Sequence, residues 1–299
     1  MLAIFFAVLS SLFLGDITRA GTLQALPIVG FAWGVDGNNV VGRSGSFGFL
    51  YNGSTYSVIR PADATFSIAF DIAGSRIVGS YDNTAGTHGF LFDGSTYTTL
   101  NHPLAVKGTI AAGLDGNNIV GWYLDAKNVP HGFLYDGSAY TTIDSPLGAH
   151  GTQLWGISGQ KIVGTYFGTF STQGGFVYDG TSFTNLVPHS GATFAYDIEG
   201  NKVVGGQGSA GFIYDGSQYT QPLGGNLPGI NDQSFTFTGI SGNRLVGNYV
   251  DLPPVSLPHP FIYVIPEPTT LLMAASAAVG VAFVAARRAK NRRAGRNRA

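Results

Sequence analysis

Apolar residues recur along this chain in short bursts that end in glycine. Val40-Val41-Gly42, Ile77-Val78-Gly79, Ile119-Val120-Gly121, Ile162-Val163-Gly164, Val203-Val204-Gly205 and Leu245-Val246-Gly247 begin 37, 42, 43, 41 and 42 residues apart. A second burst follows each: Gly48-Phe49-Leu50-Tyr51, Gly89-Phe90-Leu91-Phe92, Gly132-Phe133-Leu134-Tyr135, Gly175-Phe176-Val177-Tyr178, Gly211-Phe212-Ile213-Tyr214 and Pro260-Phe261-Ile262-Tyr263. Six pairs in one order define a repeat array. β-Branched and aromatic residues fill the segments between turn residues, which predicts four short strands per repeat. In the second repeat they are expected over residues 65–72, 76–81, 88–92 and 96–100. Asp93-Gly94, Asp136-Gly137, Asp179-Gly180, Asp215-Gly216 and Asn52-Gly53 mark the third turn of successive repeats, where a hairpin needs positive φ. The 44 glycines, about double the average share, are thus largely positional.

Four strands repeated six times is the arithmetic of a β-propeller. The sixth repeat ends at Tyr263 without a fourth strand, and a surplus segment, Thr22-Leu23-Gln24-Ala25-Leu26-Pro27, precedes the first. That segment resembles the fourth strands elsewhere, such as Tyr97-Thr98-Thr99-Leu100. The expectation is an all-β, six-bladed propeller of four-stranded repeats, closed by its N-terminal strand so that no open sheet edge remains. An open solenoid of stacked hairpins is the competing architecture. It gives no reason for the two ends to complement each other.

Two segments lie outside the array. Residues 2–14 are apolar, too short to span a bilayer and of signal-peptide length, and Thr18-Arg19-Ala20 ends in a small residue. Residues 1–20 are read as a signal peptide cleaved before Gly21. The basic residues usual at its start are missing, so either the α-amino group supplies the charge or the true start lies upstream of Met1. At the other end, Pro266-Glu267-Pro268 precedes a charge-free stretch, 271–286, and then a tail carrying seven of the 16 Lys and Arg residues, including Arg287, Arg288, Lys290, Arg292 and Arg293. Sixteen helical residues rise about 24 Å, short of the roughly 30 Å hydrocarbon core. Thr269, Thr270 and the snorkelling arginines at 287 and 288 make up the difference. The basic cluster keeps its end cytoplasmic and places the rest outside. The domains expected are therefore a signal peptide (1–20), a propeller ectodomain (21–265) and a sorting tail (266–299) with a transmembrane helix.

A Pro-Glu-Pro triplet, a short hydrophobic helix and an arginine-rich terminus, in that order, resemble the PEP-CTERM sorting signal of bacterial surface and secreted proteins. The resemblance implies that exosortase, an integral-membrane cysteine transpeptidase, recognises and cuts at Pro266-Glu267-Pro268. It also implies a single-pass inner-membrane intermediate that ends at the cell surface or outside. An ordinary C-terminal anchor is the plainer alternative. His88-Gly89-Phe90-Leu91 and His131-Gly132-Phe133-Leu134, with His259-Pro260-Phe261-Ile262 as a degenerate copy, resemble the HAF repeats of exported bacterial proteins. That resemblance implies an extracellular setting and no activity.

Charge changes the picture by exclusion. Between Gly21 and Ile265 there are eight basic and fifteen acidic residues, a net charge of −7, and no basic stripe that would suit nucleic acid. There is no cysteine, so burial alone must hold the fold. His88, His131 and His259 share a repeat position taken elsewhere by Phe47, Gly174 and Ala210, which points to packing. His102, His150 and His189 fall near linkers without partners at metal-ligand spacing. The turn aspartates, Asp36 and Asp115 among them, repeat with the scaffold, and hairpin chemistry accounts for them. Asp82, Asp125 and Asp251 stand in loops outside any dense acidic run. Asp71 and Asp197 are different, because they replace glycine in repeats two and five, opposite each other in a six-bladed ring. If the first strand is innermost, they face the central channel as a candidate cation or acid–base pair, but opposed blades would set them too far apart to share a proton. Trp33, Phe70, Trp155 and Tyr196 share one first-strand position and suit blade packing, with a sugar-binding surface as the alternative. No catalytic motif, cofactor or metal is expected. The function expected is a non-enzymatic glycan- or protein-binding module of the cell surface or matrix, with exopolysaccharide or surface proteins as partners. The alternative is a hydrolase or lyase acting on extracellular polysaccharide.

Overall fold

A computed structural model describes residues 21–169, 172–186, 192–223, 234–250 and 257–266. The expectations for residues 1–20, Glu267, Pro268, 271–286 and the tail from Arg287 lie outside the described residues. Among the described residues, no helix is long and apolar enough to cross a membrane. The chain divides into two compact units, Leu23–Tyr263 and the ends, 1–22 with 264–299; the first is the propeller.

The strands follow the repeats. β1 (Thr22–Ala25) leads. Blade 1 is β2 (Phe31–Asp36), β3 (Asn39–Ser44), β4 (Phe47–Tyr51) and β5 (Tyr56–Ile59); blade 2 is β6 (Phe66–Ala73), β7 (Arg76–Asn83), β8 (Gly86–Phe92) and β9 (Tyr97–Leu100). Blade 3 is β10 (Gly108–Asp115), β11 (Asn118–Leu124), β12 (Pro130–Tyr135) and β13 (Tyr140–Thr142); blade 4 is β14 (Thr152–Ser158), β15 (Lys161–Phe167), β16 (Gln173–Tyr178) and β17 (Phe183–Leu186). Blade 5 is β18 (Thr193–Glu199), β19 (Lys202–Gln207), β20 (Ala210–Tyr214) and β21 (Tyr219–Thr220), and blade 6 holds β22 (Phe235–Ser241), β23 (Arg244–Val250) and β24 (Pro258–Val264). Each blade is a four-stranded sheet, and the last has the order β1-β24-β23-β22. The N-terminal strand thus completes the sixth blade, and the Leu26 amide donates to the Pro260 carbonyl at 3.0 Å. First strands of neighbouring blades pack on one another all the way round, β2 on β6 through to β22 on β2, which places them around the axis.

The two sequence signatures are one contact. Gly42, Gly79, Gly121, Gly164 and Gly205 are the cross-strand partners of Phe49, Phe90, Phe133, Phe176 and Phe212. These rings are buried, with exposures of 0–4%. A Cβ at Gly79 would sit 2.0 Å from the Ile68 carbonyl oxygen and 2.6 Å from the Phe90 ring. The glycine is therefore required by the strand in front of it and the ring over it. The Tyr that ends the second signature closes the next turn: the hydroxyls of Tyr51, Tyr135, Tyr178 and Tyr214 donate to the carbonyls of Gly53, Gly137, Gly180 and Gly216 at 2.8–2.9 Å. That turn is a four-residue loop, Phe92 pairing with Tyr97, rather than the tight hairpin the Asp-Gly pairs suggest. The aspartate accepts amides two and three residues on, as in Asp93 with Ser95 and Thr96, both at 2.8 Å. These bonds favour the ionised form and hold Asp93, Asp136, Asp179 and Asp215 below the ordinary carboxylate range.

Antiparallel alternation sorts the connections between two faces. First and third turns gather on one, the turn face. Second-to-third-strand loops and blade-to-blade linkers gather on the other, the loop face.

Two glycines separate packing from backbone strain. Gly74 has φ of +61° and nothing near its missing Cβ, so Gly74→Ala carries strain alone, about 1–2 kcal/mol. Gly79→Ala adds an unavoidable clash with backbone and is expected to cost about 3–5 kcal/mol in urea denaturation. Equal losses would show that the Gly–Phe contact is not the constraint.

Candidate functional site

The candidate site is the propeller axis, and a backbone irregularity builds it. Each first strand slips register against its second strand, between Ala32 and Gly34, Ala69 and Asp71, Ala111 and Gly113, Leu154 and Gly156, Ala195 and Asp197, and Phe237 and Gly239. One residue per blade is left out of the ladder, which defines a bulge that re-aims its side chain. The extra residues are Trp33, Phe70, Ala112, Trp155, Tyr196 and Thr238.

Four of them are aromatic and meet one another. Trp33 and Trp155, from blades 1 and 4, stack at 5.8 Å between ring centroids and 9° between planes. Phe70 and Tyr196, from blades 2 and 5, stand edge-on to both indoles at 5.4–6.0 Å. The aromatics pack both between adjacent blades, Trp33 on Phe70 and Trp155 on Tyr196, and across the axis, Trp33 on Trp155. The Nε1 atoms of Trp33 and Trp155 are buried and make no hydrogen bond to the protein.

One residue further along, Gly34, Asp71, Gly113, Gly156, Asp197 and Gly239 form a ring of touching backbone. A Cβ at Gly34 would lie 2.7 Å from the Asp71 Cα, and one at Gly156 would lie 2.8 Å from the Asp197 Cα. Both aspartates are part-buried and act in the same way. Asp71 accepts its neighbour's amide, Ile72, through Oδ1 at 2.7 Å and the Leu114 amide of blade 3 through Oδ2 at 2.9 Å. Asp197 accepts Ile198 through Oδ1 at 2.7 Å and Ile240 of blade 6 through Oδ2 at 2.8 Å. Each is a clasp between adjacent blades. Burial pushes the Asp71 carboxyl well above its ordinary value, and the charge of Asp197 across the axis adds to this. Burial likewise lifts Asp197, to about 7.

A second ring of ties lies at the first turns. Asp36 accepts the Gly74 amide of blade 2 at 2.7 Å, Asp115 that of Gly159 at 2.6 Å, Ser158 that of Gly200 at 3.0 Å, Glu199 that of Gly242 at 2.9 Å and Ser241 that of Gly37 at 3.3 Å. Asp36 and Asp115 therefore serve the next blade's hairpin rather than their own, contrary to the reading from turn chemistry.

The remaining candidates are dispersed. His88, His131 and His259 each lie against a second-strand tyrosine, Tyr81, Tyr123 and Tyr249, at 5.1–5.2 Å, the first pair tilted and the other two stacked. His88 also lies 2.9 Å from Asn101 through Nδ1, and His131 lies 2.7 Å from Asp144. His102 is 4% exposed and stacks on Tyr123 at 3.8 Å, and burial lowers its pKa. Asp82 accepts the Thr87 hydroxyl, and Asp125 accepts amides of its own loop, at 2.7–2.8 Å. His189 and Asp251 lie outside the described residues. Among the described residues, no three His, Cys, Asp or Glu side chains are grouped to hold a metal ion.

No family model and no curated protein matches the chain. Solved structures do. A TolB protein from Agrobacterium tumefaciens superposes with a TM-score of 0.50 at 13% identity, covering 80% of this chain and 90% of that one. The lectin of Aleuria aurantia, a six-bladed β-propeller with its own mode of fucose recognition, gives 0.47 at 14%, covering 81% and 93%. At such identity the likeness to TolB is one of fold.

The clasps predict a pH dependence. A carboxyl whose folded pKa is raised contributes stability fully present below its unfolded value, 3.8, and lost as pH rises through the folded value, about 7 for Asp197. The double variant Asp71→Gly, Asp197→Gly, which copies the other four blades, is expected to be less stable than wild type at pH 4 by about 1–3 kcal/mol. That gap should close or reverse by pH 8 in chemical denaturation. A gap constant across this range would contradict the assignment.

Proposed function

We propose that this protein is exported and acts outside the cell as a non-enzymatic binding module of the surface or matrix, with glycan or another protein as its ligand. The observation that carries the reading is the engagement of Asp71 and Asp197. Both oxygens of each accept backbone amides, and an aromatic cluster packs beside them, so the pair serves the scaffold. What is left for recognition is the outer surface. Val29, Leu104, Val106 and Leu147 stand 46%, 63%, 63% and 46% exposed in linkers of the loop face. They belong to three linkers, those before blades 1, 3 and 4, and are the apolar contacts this face offers a partner. β1 and β24 lie side by side and antiparallel, so the chain enters and leaves the propeller at the turn face. The loop face carries neither attachment.

On the same proposal, residues 1–20 direct export, and 271–286 hold an inner-membrane intermediate whose basic tail stays cytoplasmic. Exosortase then removes the tail at Pro266-Glu267-Pro268. The exported protein is expected to co-sediment with exopolysaccharide and to release no reducing ends or unsaturated products from it. Product release would turn the reading to a hydrolase or lyase. Mass spectrometry of the exported form should find a C-terminus near Pro266. An intact arginine tail would contradict sorting.

A further inference from the structure

Neighbouring blades diverge outward, and a long side chain opening the second strand can reach across the resulting wedge. That position is Asn39 in blade 1, Arg76 in blade 2, Asn118 in blade 3 and Lys161 in blade 4. The Arg76 guanidinium reaches across to the Gly116 carbonyl of blade 3, and the Lys161 ammonium reaches Asn201 of blade 5. Asn118 is two to three bonds shorter, and its side chain makes no such tie to blade 4. A cavity of about 610 Å³ lies there, within the size range of small-molecule sites, about 300–1,000 Å³.

The lining has a definite chemistry. Its floor is apolar, Ile143, Ile157 and Ile162, buried to 9%, 6% and 3% exposure. One wall is aromatic, the Tyr178 and Phe183 rings lying 4.6 Å apart. Asn118, Thr141 and Gln160 stand on the rim, and their side chains make no hydrogen bond to the protein. Lysine, arginine and histidine are absent from the lining, and its charged groups are both acidic, Asp144 and Asp179. Asp179 is occupied by the amides and hydroxyls of Thr181 and Ser182 in its own turn. Asp144 accepts the Gly132 amide at 3.0 Å and lies against His131.

We propose that the wedge between blades 3 and 4 is a binding site for a neutral sugar ring. An aromatic wall takes the apolar C–H face of such a ring. Amides and a hydroxyl at the rim match its hydroxyl groups, and the two carboxylates repel an anionic sugar. The proposal rests on the binding-module reading and names one ligand class and one place for it. It makes the wedge a site separate from the loop face.

The test titrates the purified full chain with neutral glucan, galactan and mannan hexasaccharides and with a polyuronate of equal length, by calorimetry and saturation-transfer NMR. At least one neutral hexasaccharide is expected to bind, and the polyuronate at least tenfold more weakly. Asn118→Arg, which copies Arg76 and fills the wedge, should weaken neutral-sugar binding at least tenfold without loss of thermal stability. Thr141→Ala with Gln160→Ala should weaken it severalfold and leave the fold unchanged. Unaltered affinity in both variants overturns the wedge as the site while the module reading stands. Preference for the polyuronate overturns the neutral-sugar assignment. Absence of binding to every saccharide, with co-sedimentation also failing, overturns the proposal and the glycan reading together.

Discussion

A phenylalanine ring lying on a glycine, once in every blade, is the contact on which this propeller depends. The glycine ends the apolar triplet of the second strand. The space its missing Cβ leaves is shared by the ring from the third strand and a first-strand carbonyl. The carbonyl matters as much as the ring. At Gly42, Gly79, Gly121, Gly164, Gly205 and Gly247 an added Cβ would sit 1.9–2.4 Å from that carbonyl, beside the register slip. The strand can bulge there because nothing projects from its partner. The bulge then turns one side chain per blade toward the axis.

The centre follows from the bulges. Blades 1 and 4 bring tryptophan followed by glycine, blades 2 and 5 an aromatic residue followed by aspartate, and blades 3 and 6 a small residue followed by glycine. The centre therefore has an approximate twofold arrangement inside a sixfold scaffold. Stacked indoles are flanked edge-on by Phe70 and Tyr196, with a carboxylate clasp beyond each. Without disulfides, the ring is held by burial, by these clasps and by the turn-to-turn ties. Ionisable groups this close to the axis are tolerated because each carboxylate receives two amide hydrogens, although burial still favours its neutral form.

Much of this was legible in the sequence. The repeat spacing gave six blades, and the unmatched first strand with the incomplete last repeat gave the closure. The expected strands of the second repeat fall within about two residues of those observed. Asp71 and Asp197 were visible because each breaks a glycine position. The bulge was not. It appears only when two residues on one strand are counted against one on its partner, and a period-two pattern does not record that. The meeting of Trp33 with Trp155 was hidden for the same reason. Asp36 and Asp115 looked like turn residues because they sit beside glycine, and only the packing of blades shows their carboxylates on the next hairpin. The wedge at Asn118 was hidden because blade 1 carries the same residue at Asn39, and the space between two blades is shaped by side chains of both.

Native-state hydrogen exchange tests the central claim, a closed ring locked at its axis, most directly. The amides of Leu26, Leu114 and Ile240 donate across the closing strand pair and the two clasps. The account predicts that all three exchange only through global unfolding, at the same free energy as the buried strands around them. Exchange of Leu26 at the rate of a free terminus, or of Leu114 and Ile240 at the rate of surface loops, would contradict it.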